Sequence, residues 1–300
     1  MNPAKVPLDF RAPGSIAQDR RRFDALARAH YENFPVGSWL VPRALRPHIH
    51  RIYAFARTAD DIADELRDAE LLADYRATFT RHLAGTDTSV PLFVDLAATL
   101  RERGLPPELC FALLDAFQSD LVERRYTAAS LRAYCTKSAD PVGRLVLRVF
   151  GYDDRELDRL SDSICTGLQI LNHLQDVRSD LVERDRIYLP AEDLAAHGVT
   201  EADLRANVAT PGVRALIRDW TDRTATLLRD GFPLTRAVTG RLRLELRAIV
   251  AGAAGVVARI RAHDHDVLAR RVRLGRFRAV GWMLRALCTR SLPAPLRPTR

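Results

Sequence analysis

The chain has 300 residues, 47% hydrophobic and 28% charged, a balance that fits a globular protein and excludes a disordered one. Its longest apolar run, residues 248–258, covers 11 positions, too few to span a bilayer. The net charge of +8 and the sequence pI of about 9.8 point to anionic partners, a diphosphate or an anionic membrane face. Nucleic acid is excluded by arginines that are spread along the chain rather than clustered with aromatics, and by the lack of a groove-reading motif.

Taken in order, residues 1–15 carry Pro3, Pro7 and Pro13 and read as a flexible tail. They show no signal-like apolar segment, so a cytoplasmic protein is expected. Ser15 is a candidate N-cap for a helix that carries Phe23, Leu26 and Ala27 towards His30 and Phe34. Residues 35–42, bounded by prolines, read as a loop or broken helix. A second helix starts near Arg43 and runs through residue 65. Residues 69–84 and 91–103 follow as helices divided by Gly85, Thr86 and Asp87, and Gly104 to Pro107 form a break. Further helices are expected over 107–125 and 130–150, the latter kinked at Pro141. A long helix covers 154–182, a short one follows Pro190 and ends at Gly198, and long runs cover 211–230 and 233–270. Residues 272–287 read as a basic amphipathic helix, and 289–300 as a proline-rich tail. No strand alternation and no fixed repeat appears, so the fold class is all-α, with one domain over 16–288.

The long helix carries the chemistry. Ile164, Leu168, Leu171 and Leu174 give it an apolar face, while Gln169, Asn172, Asp176 and Asp180, spaced three and four apart, share another. Two carboxylates one turn apart repel unless water or a cation screens them, and an all-oxygen ligand set suits Mg²⁺. A solvated polar face is the competing reading. The same pattern recurs after the apolar run Ile52, Tyr53, Ala54, Phe55, Ala56, where Asp60 and Asp64 stand one turn apart, with Asp61 as a second-choice ligand. Two such pairs facing one another across a bundle could hold Mg²⁺ and, through it, a diphosphate. This is the chemistry of ionising an allylic or cyclopropylcarbinyl diphosphate. The four cysteines, Cys110, Cys135, Cys165 and Cys288, lack a Cys-x-x-Cys and read as buried small residues. His173 and His265 read as packing or surface histidines rather than bases. The polar Ser138, Ala139, Asp140 run, with Lys137 and Arg144, reads on pattern alone as a surface-facing kink.

These stretches, with His30 to Phe34, Tyr134 to Gly143 and Arg186-Ile187-Tyr188-Leu189-Pro190, resemble the squalene/phytoene synthase family over about residues 20–285. The resemblance implies an isoprenoid synthase bundle with a central cavity. Residues 34–40 and 138–145 look like the family's hydroxysqualene-forming branch of hopanoid biosynthesis. Its members take presqualene diphosphate, made by a partner synthase, and quench the rearranged cation with water without NADPH.

By that resemblance Asp60, Asp64, Asp176 and Asp180 bind diphosphate through Mg²⁺. Arg57 and Arg186 contact the diphosphate, supported by Tyr53 and Tyr188. Gln169 and Asn172 bind metal-bound water or diphosphate oxygens, Tyr134 sits by the departing group or the cation, and His30 and Phe34 line the pocket. Asp140 stands where relatives are apolar, which suggests that the Ser138 to Asp140 run positions water. One departure is His265-Asp266-Val267-Leu268, where the family often has Tyr-Asp-Val-Phe/Leu. The basic 272–287 helix reads either as a contact with the inner membrane face or as a lid. The competing functions are a condensing synthase making presqualene diphosphate, squalene, dehydrosqualene or phytoene; a class I terpene cyclase, since Asp176, Ser179 and Glu183 fit that second metal motif by spacing; and a non-catalytic helical partner in a membrane-lipid pathway.

Overall fold

The computed structural model describes residue 10 and residues 40–269, 271–272 and 291–297. His30, Phe34, the Ser15 cap with its helix, and the basic helix beyond residue 272 lie outside the described residues. Among the described residues there are helices and turns but no strand; a single parallel bridge joins Arg125 and Ile187. The chain divides into two compact units, one made of residues 1–122 and 144–153, the other of 123–143 and 154–300.

In the first unit, α1 (Arg46–Asp61) continues into a π-helical turn (Ile62–Leu66) and is followed by α2 (Ala69–Leu83), α3 (Pro91–Arg103) and α4 (Pro107–Asp120). Local chemistry sets the boundaries. Asp68 caps α2 by accepting the Leu71 amide at 2.8 Å, proline opens α3 and α4, and Gly104 ends α3 in the left-handed region. Ile52, Phe55, Ala59 and Ile62 recur at steps of three and four and are buried. They meet an aromatic core in which Phe55 lies 4.7 Å from Phe79 and Tyr75 lies 4.8 Å from Phe93, while the Tyr75 hydroxyl donates to the Phe55 carbonyl at 3.0 Å. That burial leaves Tyr53, Arg57, Asp60 and Asp64 on the other, half-exposed face.

The second unit contains α5 (Ala128–Ser138), α7 (Arg155–Arg184), α8 (Ala191–Ala196), α9 (Glu201–Arg205), α10 (Pro211–Gly231), α11 (Leu234–Ala237) and α12 (Gly240–Ala262). Helix α6 (Asp140–Val149) starts in this unit and ends in the first. Asp154 caps α7, its carboxylate accepting the Glu156 and Leu157 amides. Helix α10 packs along α7 where Gly231 has no side chain; a Cβ there would lie 2.5 Å from Ile164 and 2.6 Å from the Leu160 carbonyl.

Several boundaries differ from the sequence expectation. The 107–125 helix stops at Asp120, because residues 124–126 run extended: the Arg124 and Tyr126 carbonyls accept the Ile187 and Ala191 amides. The 130–150 helix is two helices. Pro141 has no N–H, so the ladder of α5 closes with the Ala139 amide on the Cys135 carbonyl and restarts at Asp140. The 233–270 run breaks at Val238 and Thr239 and ends at Ala262. Within the expected 289–300 tail, Ala294–Leu296 form a 3₁₀ turn with Leu296 fully buried, and Arg261 donates to the Pro295 carbonyl at 2.6 Å.

Candidate active site

The first carboxylate pair stands where α1 gives way to the π turn. A π turn bonds residue i to i+5, so it is wider than an α turn and recurs at functional sites. Asp60 lies in the last turn of the regular helix and Asp64 inside the wide turn, which closes with Arg67 in the left-handed region. Arg57 serves the cluster from one turn earlier. Its Nη1 meets Asp60 Oδ2 at 3.0 Å, and its Nη2 meets Asp61 Oδ1 at 2.5 Å and Glu65 Oε1 at 3.6 Å. Enclosure pushes the Asp60 carboxyl up to about 7; Arg57 opposes the shift, while Asp64, Asp61 and Asp120 add to it. The side chain still keeps 33% of its surface open, so an entering cation could reach it. Tyr53 on the same face has its hydroxyl pKa raised, first by burial.

The second pair lies on α7. Asp180 is buried and pushed up to about 7, first by desolvation and then by Asp176, against the pull of Arg184 and Arg186. Arg184 Nη1 meets Asp180 Oδ1 at 3.1 Å. Asp176 is held by both arms of Arg271, Nη2 donating to Oδ2 at 2.7 Å and Nε to Oδ1. The neighbouring Gln175 amide donates to the Val272 carbonyl, so the 271–272 segment lies along α7 at this point. Among the described residues no three His, Cys, Asp or Glu side chains converge as a ready metal cage.

A turn brings the next functional residues back onto α7. Asp185 takes the left-handed conformation, and Arg125 clamps it, donating to the Asp185 carbonyl at 2.6 Å, its Oδ1 at 2.9 Å and Glu201 Oε1 at 2.7 Å. Arg186, buried, then donates from Nη1 to the Tyr188 hydroxyl at 2.8 Å. The Tyr188 ring stacks on His173 with centroids 3.5 Å apart and on Tyr126 at 4.9 Å, and Tyr134 lies 5.5 Å away. His173, Val177, Asp180, Arg186, Ile187, Tyr188 and Leu189 line a small cleft. Burial, and secondarily Arg186, pushes the His173 pKa down to about 3, so the ring is neutral and accepts from the Gln169 amide at 3.3 Å. Asn172, half-exposed on the same helix, makes no side-chain hydrogen bond to another described residue.

Asp140 corrects the surface reading of its stretch. It is 5% exposed and accepts a hydrogen bond from Thr166 Oγ1 at 2.9 Å. The amphipathic pattern missed this because Pro141 restarts the helix and turns the polar run inward.

A family model described as Squalene/phytoene synthase matches residues 27–278. The chain belongs to the squalene/phytoene synthase family. This synthase is 39% identical over 236 residues to the hydroxysqualene synthase of Rhodopseudomonas palustris, a match covering 78% of this chain and 80% of that one. The crystal structure of squalene synthase HpnC from Alicyclobacillus acidocaldarius superposes with a TM-score of 0.76 at 41% identity, covering 87% of this chain and 97% of that one. A dehydrosqualene synthase in complex with ligand matches with a TM-score of 0.83 at 19% identity over 91% and 96% of the two chains, a likeness of fold. The all-α isoprenoid synthase expectation therefore holds.

The synthase residues fall into two sets. Tyr53, Arg57, Asp60 and Asp64 gather in the first unit; Tyr134, Asp140, Gln169, Asn172, Asp176, Asp180, Arg186 and Tyr188 belong to the second. Sequence reasoning missed Tyr126 as a member of the aromatic stack, Thr166 as the partner of Asp140, and Arg271 on Asp176. Thr166 was legible by spacing, three residues before Gln169 on one helix face. Arg271, 95 residues from Asp176, left no local signal. His265, at the departure from the family tyrosine, is buried with both ring nitrogens lacking hydrogen-bond partners among the described residues, and desolvation lowers its pKa.

Proposed function

We propose that the chain is a Mg²⁺-dependent hydroxysqualene synthase that converts presqualene diphosphate and water to hydroxysqualene and diphosphate without NADPH. The observation that carries the reading is identity near 40% over most of the chain to a hydroxysqualene synthase and to HpnC. The site chemistry agrees with it.

The residues fit a divalent cation. Each unit offers a carboxylate pair one turn apart, with Asp60 in the first and Asp180 in the second both raised towards 7, an electrostatic load that a cation relieves. Mg²⁺ is commonly bound through one or two carboxylates plus substrate phosphates, which suits pairs rather than a closed cage. Asp60 and Asp64 would hold it in the first unit, Asp176 and Asp180 in the second. When bound, Mg²⁺ neutralises charge on the departing diphosphate.

The chain's own groups do the rest. Arg57 and Arg186 take the diphosphate oxygens; both guanidiniums are already fixed, Arg57 by its carboxylates and Arg186 against Tyr188. Tyr53 supports Arg57. Gln169 and Asn172 donate to diphosphate oxygens or bound water. Tyr188 supports Arg186 through its hydroxyl, and Tyr134 sits by the departing group or the cation. His173, neutral and stacked, adds no positive charge beside it. His30 and Phe34 complete the pocket by resemblance. The substrate comes from a presqualene diphosphate synthase and, as a long hydrocarbon, reaches the chain at a membrane face. Among the described residues no helix is long and apolar enough to cross that membrane.

Purified protein with Mg²⁺ should give hydroxysqualene from presqualene diphosphate by GC–MS, and no product from farnesyl diphosphate. Squalene, dehydrosqualene or phytoene from a simple prenyl diphosphate would overturn the reading in favour of a condensing synthase.

A further inference from the structure

Burying a carboxylate costs several kcal/mol unless hydrogen bonds or charges compensate. Asp140 is nevertheless buried in the first turn of α6, where Thr166 donates to it at 2.9 Å. Two residues earlier, the Ser138 hydroxyl is buried and has no hydrogen-bond partner among the described residues. Leaving such a group unpaired away from water is unfavourable. The two polar groups are brought to α7 by Gly143, whose Cβ would overlap Ser161 Oγ and lie 2.6 Å from Cys165 Sγ. Only a bare backbone lets α6 close here and seat Asp140 against Thr166.

Thr166 shares one face of α7 with Gln169, His173, Asp176 and Asp180, at steps of three and four. At 1.5 Å per residue it stands about 15 Å along the axis from Asp176. Asp140 therefore lies along the same face, well away from Asp176 and Asp180, which the proposed function places at the diphosphate. The surroundings are buried. The Cys135 and Cys165 thiols are both pushed up to about 12, first by burial and next by the Asp140 charge, so neither offers a thiolate that would compete for a cation.

We propose that Asp140, held by Thr166, orients and deprotonates the water that captures the substrate cation, with the Ser138 hydroxyl as that water's second partner. The inference rests on the hydroxysqualene synthase reading and names the residues that decide its outcome. Diphosphate leaves with the bonding electron pair. The water oxygen gives a lone pair to the cationic carbon, the C–O bond forms, and one O–H bond breaks. Its proton passes to the Asp140 carboxylate and on to solvent or diphosphate, and no reductant is consumed. Asp140 is thus a catalytic residue, and Thr166 and Ser138 are positioning residues.

The test measures hydroxysqualene and diphosphate in the same single-turnover samples with presqualene diphosphate and Mg²⁺. Wild type should form them one to one; wild-type protein that forms no hydroxysqualene defeats the functional reading itself, whatever the variants do. Asp140→Asn should lower the ratio of hydroxysqualene to diphosphate about tenfold or more, the balance appearing as polyene hydrocarbons formed by proton loss. Ser138→Val should lower it a few-fold. A purely structural role lowers both products together, so an unchanged ratio in both variants overturns the proposal. If Asp140→Asn does not fold by circular dichroism, Thr166→Val and Ser138→Val carry the same test, and wild-type ratios in both overturn it.

Discussion

The two carboxylate pairs share a spacing and differ in how the chain balances them. The first straddles the end of α1 and the π turn, with Asp60 a third open and Arg57 spread over Asp60, Asp61 and Glu65. The second sits on an unbroken α-helix and is met almost one for one, Arg271 on Asp176 and Arg184 on Asp180. Under the proposed function a cation would share the first pair with Arg57, and at the second it would compete with Arg271 and Arg184. Identical sequence motifs thus make electrostatically unlike sites, because the compensating charge comes from elsewhere in the chain.

The largest test of that difference is the loss of one ligand from each side. Asp60→Ala and Asp180→Ala should each slow diphosphate release by about 10³-fold or more, since catalysis at such sites comes mainly from electrostatic stabilisation of the departing group. A loss under tenfold at either position would show that one pair is dispensable. The dependence on pH comes next. With both carboxyls near 7 in the folded state and 3.8 as their ordinary value, the folded chain holds more protons than the unfolded one between these limits. Without metal, this contribution makes stability fall as pH rises from about 4 to about 7. Metal needs the ionised forms, so Mg²⁺ should raise Tm a few degrees more at pH 8 than at pH 5.5. Differential scanning fluorimetry reads this, and an equal shift at both pH values counts against metal at these carboxylates. The smallest effect belongs to Arg271→Ala. Removing a partly exposed ion pair frees Asp176 and should tighten Mg²⁺ binding by up to about fivefold in calorimetry without substrate. Weaker binding would mean that the arginine helps to hold the metal site rather than competing for it.

How much of this was legible depended on how local each cause was. Helices α2 and α3 were read to within a residue, because Asp68, Pro91 and Gly104 mark their ends chemically. The face of α7 was equally plain, since Gln169, Asn172, Asp176 and Asp180 lie within four turns. The π turn under Asp64 was not, because its residues suit an ordinary helix and nothing in their spacing marks the wider turn. Asp140 looked like a surface residue because a buried carboxylate is rare and its partner, Thr166, lies 26 residues away. Arg271 on Asp176 and the buried Leu296 depend on long-range docking that periodicity does not encode.

The Arg125 clamp also constrains the order in which the protein assembles. Its partners Asp185 and Glu201 lie 60 and 76 residues further along the chain. Closing loops of that length carries an entropy cost that nearby contacts cannot offset in advance. The register of Arg186 and Tyr188 is therefore fixed only once those distant segments have met, so a newly made chain acquires its helices well before the turn that carries Arg186 and Tyr188. Folding monitored by the His173–Tyr188 stack should lag folding monitored by helix content.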